Sequence, residues 1–369
     1  MPVRPLPPDP NLEHLKYQAK DLLKGHAAHN VSVAQRIREF HPQLNRASDA
    51  KIFTAQFRLS NAQLTIAREY GFATWARLKR RLEKPRPSDD VTRPNHERIE
   101  DPVFRRAVEM LDAGDLDALR THLKKHPGLT RQRVEFEGGN YFRNPTLLEF
   151  VAENPIRRGK LPANIVAVAE AIVSAGVEQA SLDETLMLVA TGCVPRECGV
   201  QTAMIEMLCR HGAGPDRAAA AAAVLFELEA VKTLLTCGAQ VTLPIAAALG
   251  FDHDVKRLLP IASEEERHLA LAVAPQYGRT EIVRLMLDAG EDPNRFNPPG
   301  GHAHSTPLHQ AAGNGHLETV KLLVARGAKT DTKDILFGGT PLGWARHGGK
   351  KDVEAYLRSL EKTQPVRRE

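Results

Sequence analysis

The sequence predicts an all-α fold, a solenoid of helix-turn-helix repeats preceded by a small helical domain. Two observations carry that expectation. The stretch Thr306-Pro307-Leu308-His309-Gln310-Ala311-Ala312 restarts 34 residues later as Thr340-Pro341-Leu342-Gly343-Trp344-Ala345. Gly176, Gly212, Gly238, Gly290 and Gly327 each close a segment rich in Leu, Val and Ile, where a left-handed residue ends a helix cheaply. Self-similarity at such periods marks arrays in which each unit buries its apolar face only against its neighbours. A chain of 369 residues suits one long array as well as two or three ordinary domains.

Residues 1–83 follow a different plan from the array. Leu12, Leu15, Ala19, Leu22 and Leu23 form one helical face, and Ser32 to Phe40 form a second helix stopped by His41-Pro42. Ser60 and Gln63 read as a capping box opening a third helix, which Gly71 ends. Thr74 caps a fourth, with Trp75, Leu78 and Leu82 on one side. Residues 84–100 begin Lys84-Pro85-Arg86-Pro87-Ser88-Asp89-Asp90, proline-broken and charged, and read as a linker.

The array is expected over 101–361, in roughly seven to eight units, with 362–369 as a flexible tail. Its first unit runs from Phe104 to Leu129 around Gly114, and Thr146 to Ala152 read as a degenerate helix start. Val231-Lys232-Thr233-Leu234-Leu235 recurs after 24 residues as Val255-Lys256-Arg257-Leu258-Leu259. That spacing is too short for two helices and a hairpin, so units around 217–263 should lack the hairpin. In the clearest unit, the Thr306 hydroxyl is placed to cap a helix and Pro307 fits its first turn. Leu308, Ala311 and Ala312 give that helix a small, apolar face.

Composition sets the outer limits. Apolar residues are 42% and charged residues 26%, ordinary for a globular chain. The longest apolar run, Ala218 to Phe226, is nine residues, well short of the ~18 a bilayer span needs, so no membrane partner is expected. The opening Met1-Pro2-Val3-Arg4-Pro5 has no apolar export core. Cys193, Cys198, Cys209 and Cys237 form no C-x-x-C pair. Cytoplasmic localisation is the expectation. Residues 1–90 carry 16 Lys/Arg against 9 Asp/Glu, so the basic excess belongs to the N-terminal quarter.

The chain resembles a family of bacterial ankyrin-repeat proteins that carry a small basic N-terminal helical domain. The resemblance rests on Ala67-Arg68-Glu69-Tyr70-Gly71-Phe72-Ala73-Thr74-Trp75, Asn144-Pro145-Thr146-Leu147-Leu148 and Pro195-Arg196-Glu197-Cys198-Gly199-Val200-Gln201. It rests further on Gly301-His302-Ala303-His304-Ser305-Thr306-Pro307-Leu308-His309 and on Gly339-Thr340-Pro341-Leu342-Gly343-Trp344-Ala345. It covers nearly the whole chain. It implies an ankyrin solenoid that binds a protein or peptide partner through its concave face, and it names no ligand.

Several residues are candidates for a site, each with a plainer structural role beside it. His302 and His304 sit two apart in a segment expected to be an extended hairpin arm, which would put both imidazoles on one side. With Asp292 or Asp334 they would make a metal or proton-transfer site, but two ligands without a third fall short of one. His309 and His316 occupy repeat-signature positions and read as structural. Arg196, Glu197 and Cys198 lie in an insertion between two helices, where Arg196 is available for a carboxylate or phosphate. A nucleophilic role for the thiol lacks a nearby histidine. Tyr141, Phe142, Arg143 and Asn144, with Phe337, Trp344 and His347, place aromatics and cations among hairpins and helix starts that an array aligns on its concave side.

The expected function is therefore non-enzymatic recognition of a protein or peptide, without cofactor: no phosphate loop, G-x-S-x-G or H-E-x-x-H occurs. The alternative is an enzyme or small-molecule binder whose pocket combines the insertions at 131–145, 192–200 and 296–305. Ala67 and Gly71 are spaced as in a helix-turn-helix, followed by Arg77, Lys79, Arg80 and Arg81. Arg77 occupies the position that motif needs apolar, so only weak, sequence-independent contact with nucleic acid is expected.

Overall fold

The computed structural model describes residues 6, 12–45, 47–82, 92–136 and 141–363. Residues 84–91 of the expected linker, including all of its proline-rich stretch, and residues 364–369 of the expected tail lie outside the described residues. The chain divides into two compact units, one from residues 1–100 with 135–143, the other from 101–134 with 144–369.

The first unit is a cluster of five helices: α1 Leu12–Ala27, α2 Val31–Phe40, α3 Asp49–Thr54, α4 Leu59–Glu69 and α5 Trp75–Leu82. Leu15, Ala19 and Leu22 of α1 lie on one helical face and meet Ile37, Ile52, Ile66 and Leu78 in a buried core. Each fully buried aliphatic side chain contributes about 2 kcal/mol. At the margin of this core, the partly exposed Arg36 pairs with the buried Glu69 at 2.7 Å. Two expectations need correction. The sequence reading passed over α3, whose first turn is capped by the Ser48 hydroxyl accepting from the Lys51 amide. The helix assigned to a Ser60–Gln63 box begins at Leu59 instead. The Asn61 side chain reaches back to accept the Arg58 amide at 3.0 Å.

The second unit is an all-α solenoid of eight consecutive helix pairs. The first pair is α6 Pro102–Ala113 and α7 Leu116–Lys125. Asp101 caps α6 by accepting the Val103 and Phe104 amides, and Pro102 fits its first turn. Next come a 3-10 turn, Leu148–Ala152, with α8 Ile165–Ser174, then α9 Gln179–Ala190, the short α10 Cys193–Glu197 and α11 Gln201–Arg210. The remaining pairs are α12 Pro215–Val224 with α13 Leu228–Thr236, and α14 Leu243–Leu249 with α15 Asp252–Leu258. They continue as α16 Glu264–Gln276 with α17 Thr280–Asp288, α18 Pro307–Asn314 with α19 Leu317–Ala325, and α20 Pro341–His347 with α21 Lys351–Thr363. The 3-10 turn, α9, α12, α14, α16, α18 and α20 stack in series as inner elements. Their contact faces are small: Ala218, Ala219, Ala222 and Ala223 of α12 and Ala246, Ala247 and Ala248 of α14 are all buried. The loop 237–242 joins α13 to α14 directly, without a hairpin, whereas 289–306 and 326–340 project as long connections.

Polar contacts lock successive units together. His309 accepts the Thr306 amide and hydroxyl at Nδ1, at 3.2 and 2.8 Å, and these partners imply that its Nε2 donates to the Gly339 carbonyl at 3.1 Å. Thr306 is the N-cap of α18, as its sequence position predicts, and it forms a reciprocal capping box with His309. His316 reaches the Gln276 carbonyl at 2.9 Å. It lies so close to Gly278 that a Cβ there would meet its ring at 2.5 Å, and the backbone at Gly278 is left-handed. Near the start of the array, Arg157 is buried between Asp112 at 2.9 Å and Glu153 at 2.7 Å, with its guanidinium over the Phe150 ring.

Candidate functional site

A groove of about 660 Å³ opens among the C-terminal units. Helix α18 supplies Gln310, Gly313 and Asn314; helix α20 and its end supply Gly343, Trp344, His347 and Gly348. Phe337 and Gly339 enter from the 326–340 connection, His302 from the 289–306 connection, and Phe226 from the turn after α12. Local sequence explains the shape. A side chain at Gly313 would press on Trp344 at 3.0 Å, so the glycine lets the indole lie against the inner helix.

Asp334 fixes the aromatic wall. Its Oδ1 accepts the Leu336 and Phe337 amides at 3.0 and 2.7 Å; its Oδ2 accepts the Gly339 amide at 2.8 Å and the Trp344 indole at 3.0 Å. Burial opposes its charge, but the indole and the three amides outweigh that and hold the carboxyl down at about 2. The same turn raises Ile335, Leu336 and Phe337 into solvent, 66%, 65% and 79% exposed. Three consecutive large apolar side chains at that exposure form an outlying patch on a soluble surface.

His302 has a left-handed backbone, with φ of 62°. Its Nε2 reaches the Val224 carbonyl at 3.3 Å, which gives the end of α12 a partner from a connection 78 residues onward. Burial lowers its pKa; the Val224 hydrogen bond acts the other way, and His304 adds to the lowering. The His304 ring lies 6.1 Å from Phe337 and 5.7 Å from Trp344. The two imidazoles stand nearly perpendicular, 6.3 Å apart. This corrects the extended-arm expectation: the left-handed residue turns the chain, one ring goes to a carbonyl, and the other packs on aromatics. Asp334 has its four donors from its own turn and Trp344, so it is no partner to the histidines. Among the described residues, no group of three or more His, Cys, Asp or Glu could hold a metal ion.

The structure thus brings together five of the residues singled out from sequence: His302, His304, Phe337, Trp344 and His347, with Asp334 behind them. The rest lie elsewhere. Tyr141 and Arg143 are exposed on the first unit, and Asn144, in the second, gives its carbonyl to Arg133 at 2.9 Å. Arg196 is not the open anion site expected. It pairs with the buried Glu227, 31 residues on, and contacts its neighbour Glu197 at 3.5 Å. Of the three insertions expected to share a pocket, 296–305 contributes to this groove, through His302.

Phe226, Gln310 and Asn314 were not anticipated. Phe226 is 45% exposed, packs on Tyr277 with ring centroids 5.2 Å apart, and has a φ of 65°, an unusual conformation for a bulky residue. Its one sequence signal is its place at the end of the longest apolar run.

A family model for ankyrin repeats, in three copies, matches residues 243–334, the three helix pairs from α14 to α19 and the start of the next connection. The chain is 38% identical over 98 residues to ankyrin repeat and SAM domain-containing protein 6 of Mus musculus, covering 27% of this chain and 11% of that relative. It is 31% identical over 126 residues to cyclin-dependent kinase 4 inhibitor B of Bos taurus, covering 33% of this chain and 93% of the relative. Cyclin-dependent kinase inhibitor 2A of Homo sapiens is 31% identical over 121 residues, covering 32% of this chain and 75% of the relative. No helix among the described residues is long and apolar enough to cross a membrane.

Proposed function

We propose that this chain, which belongs to the ankyrin-repeat family, is a non-enzymatic module that binds a protein or peptide. The recognition surface is the groove between Phe226 and Trp344, together with the exposed tip Ile335-Leu336-Phe337. The observation that carries the reading is that juxtaposition: a preformed apolar groove beside three solvent-facing apolar side chains on one rigid turn. Two relatives are named as inhibitors of cyclin-dependent kinases, so a protein target is in keeping with the family. In this reading the basic N-terminal domain, residues 1–83, makes at most weak nucleic-acid contact, and the setting is the bacterial cytoplasm.

Comparative affinity capture tests it. Phe337→Ala and Phe226→Ala change half-exposed or exposed side chains and should leave the melting transition nearly unchanged. Both should lose a partner that the natural chain and Ile261→Ala retain, Ile261 being exposed at a different unit. Equal capture by all four proteins would contradict the reading. A small-molecule ligand is the second reading, because about 660 Å³ lies within the range of ligand pockets. Native mass spectrometry of the purified chain distinguishes it by a co-purifying mass.

A further inference from the structure

We propose that the groove takes a cationic side chain, a lysine or arginine of the bound partner, against Trp344 and Phe226. The inference rests on the groove being the recognition surface and adds the chemistry of what enters it. Three features of the site favour a cation over a neutral apolar group.

The first is the ring wall. Trp344, Phe226 and Phe337 line one cavity, and an aromatic face attracts a cation through its quadrupole, indole most strongly. The second is the fixed charge behind that wall. The Asp334 carboxylate accepts the indole N–H of Trp344 at 3.0 Å, so a net negative group polarises the ring that the ligand meets. The third is backbone polarity. The groove lies where α18 ends, at Gly313 and Asn314, and helix carbonyl ends favour positive charge. A Cβ on Gly348 would stand 2.6 Å from the Gly313 carbonyl oxygen, so glycine lets the end of α20 approach the end of α18 closely at the groove wall.

The array already treats one such end this way: Arg279 donates to the Ala248 carbonyl at the end of α14 at 3.0 Å. At the end of α18 the side-chain stem of Lys350 lies over Gly315 and Gly348, on the rim. Among the described residues, no lysine or arginine lines the groove itself. The imidazole of His302 is kept neutral by burial, so it adds no repelling charge.

The test uses the full chain and N-acetyl methylamides of lysine, trimethyl-lysine and arginine. The control is a neutral isostere of trimethyl-lysine with carbon in place of the ammonium nitrogen. The readout is the indole N–H resonance of Trp344, one of two tryptophans, assigned with Trp344→Phe. The cationic probes should shift it saturably, and the neutral isostere should bind about tenfold more weakly. Phe226→Leu should weaken the cations severalfold. Lys350→Met should tighten them about twofold while leaving the isostere unchanged. An isostere that binds as tightly as trimethyl-lysine overturns the inference yet leaves the groove as a recognition surface. No saturable shift with any probe overturns the inference as well; the capture experiment then decides the broader reading independently.

Discussion

The Asp334 carboxylate holds the indole of Trp344 and three amides of its own turn at once. One side chain therefore sets both the wall of the groove and the exposed tip beside it. Asp334→Ala should leave the Trp344 indole and three partly buried turn amides without their acceptor and destabilise the chain by about 1–3 kcal/mol, measured by urea unfolding. The natural chain and Asp334→Asn should also differ in acid. The folded carboxyl titrates near 2 against an ordinary 3.8, so its stabilisation is complete above about pH 4 and lost as pH falls towards 2. Parallel curves for the two proteins through that window would count against this role.

A second pH window concerns the histidines that lock the units. Burial is the leading cause that lowers the pKa of His41, His268, His302, His309 and His316. Unfolded histidines gain a proton as pH falls through about 6.5 while these remain neutral, so the unfolded state binds more protons. Stability is therefore full above that pH and drains below it. The urea midpoint should drop between about pH 7.5 and about pH 5.5, and His316→Asn should shrink the drop. An unchanged midpoint in the natural chain would defeat the argument.

Much of the array was legible because its local chemistry repeats: Thr340-Pro341-Leu342 restarts Thr306-Pro307-Leu308, and glycines punctuate the outer helices. What stayed hidden were contacts one or more units apart. Arg196 looked available because Glu227 lies 31 residues on, and His302 looked like part of an extended arm because its partner, the Val224 carbonyl, lies 78 residues back. Phe226 joins the groove from the turn after α12, through a tilted ring contact with Tyr277 that no local pattern encodes. Asp334 was noticed for its charge, but its partners, the turn amides and Trp344, make it a scaffold for the site.

The Arg157 cluster is a test of buried charge. Arg157→Met removes the cation of the fully buried Glu153 and leaves Asp112 with Arg158 at 3.5 Å. Breaking such a group should cost about 3–5 kcal/mol, because the Glu153 carboxylate is left buried without its cation. Chemical denaturation of the variant measures this; a loss below about 1 kcal/mol would mean that water or neighbouring amides satisfy the carboxylates instead.

Continuity of the core predicts the result of truncation. Leu308, Val320, Leu322 and Leu323 share one buried cluster with Ala345, Val353 and Leu357 of the following unit. A chain ending at Lys333 should expose the former set and become poorly soluble, with a broadened melt. Unchanged solubility and a sharp transition would show that the last unit is dispensable to the core.

The most direct measurement follows the two indole resonances while a captured partner is titrated in. Trp75 reports on the first unit and Trp344 on the groove. The account predicts that Trp344 shifts saturably while Trp75 stays in place, and that Phe337→Ala weakens the effect. A partner that shifts Trp75 alone, or neither indole, would contradict the assignment of the groove as the recognition surface.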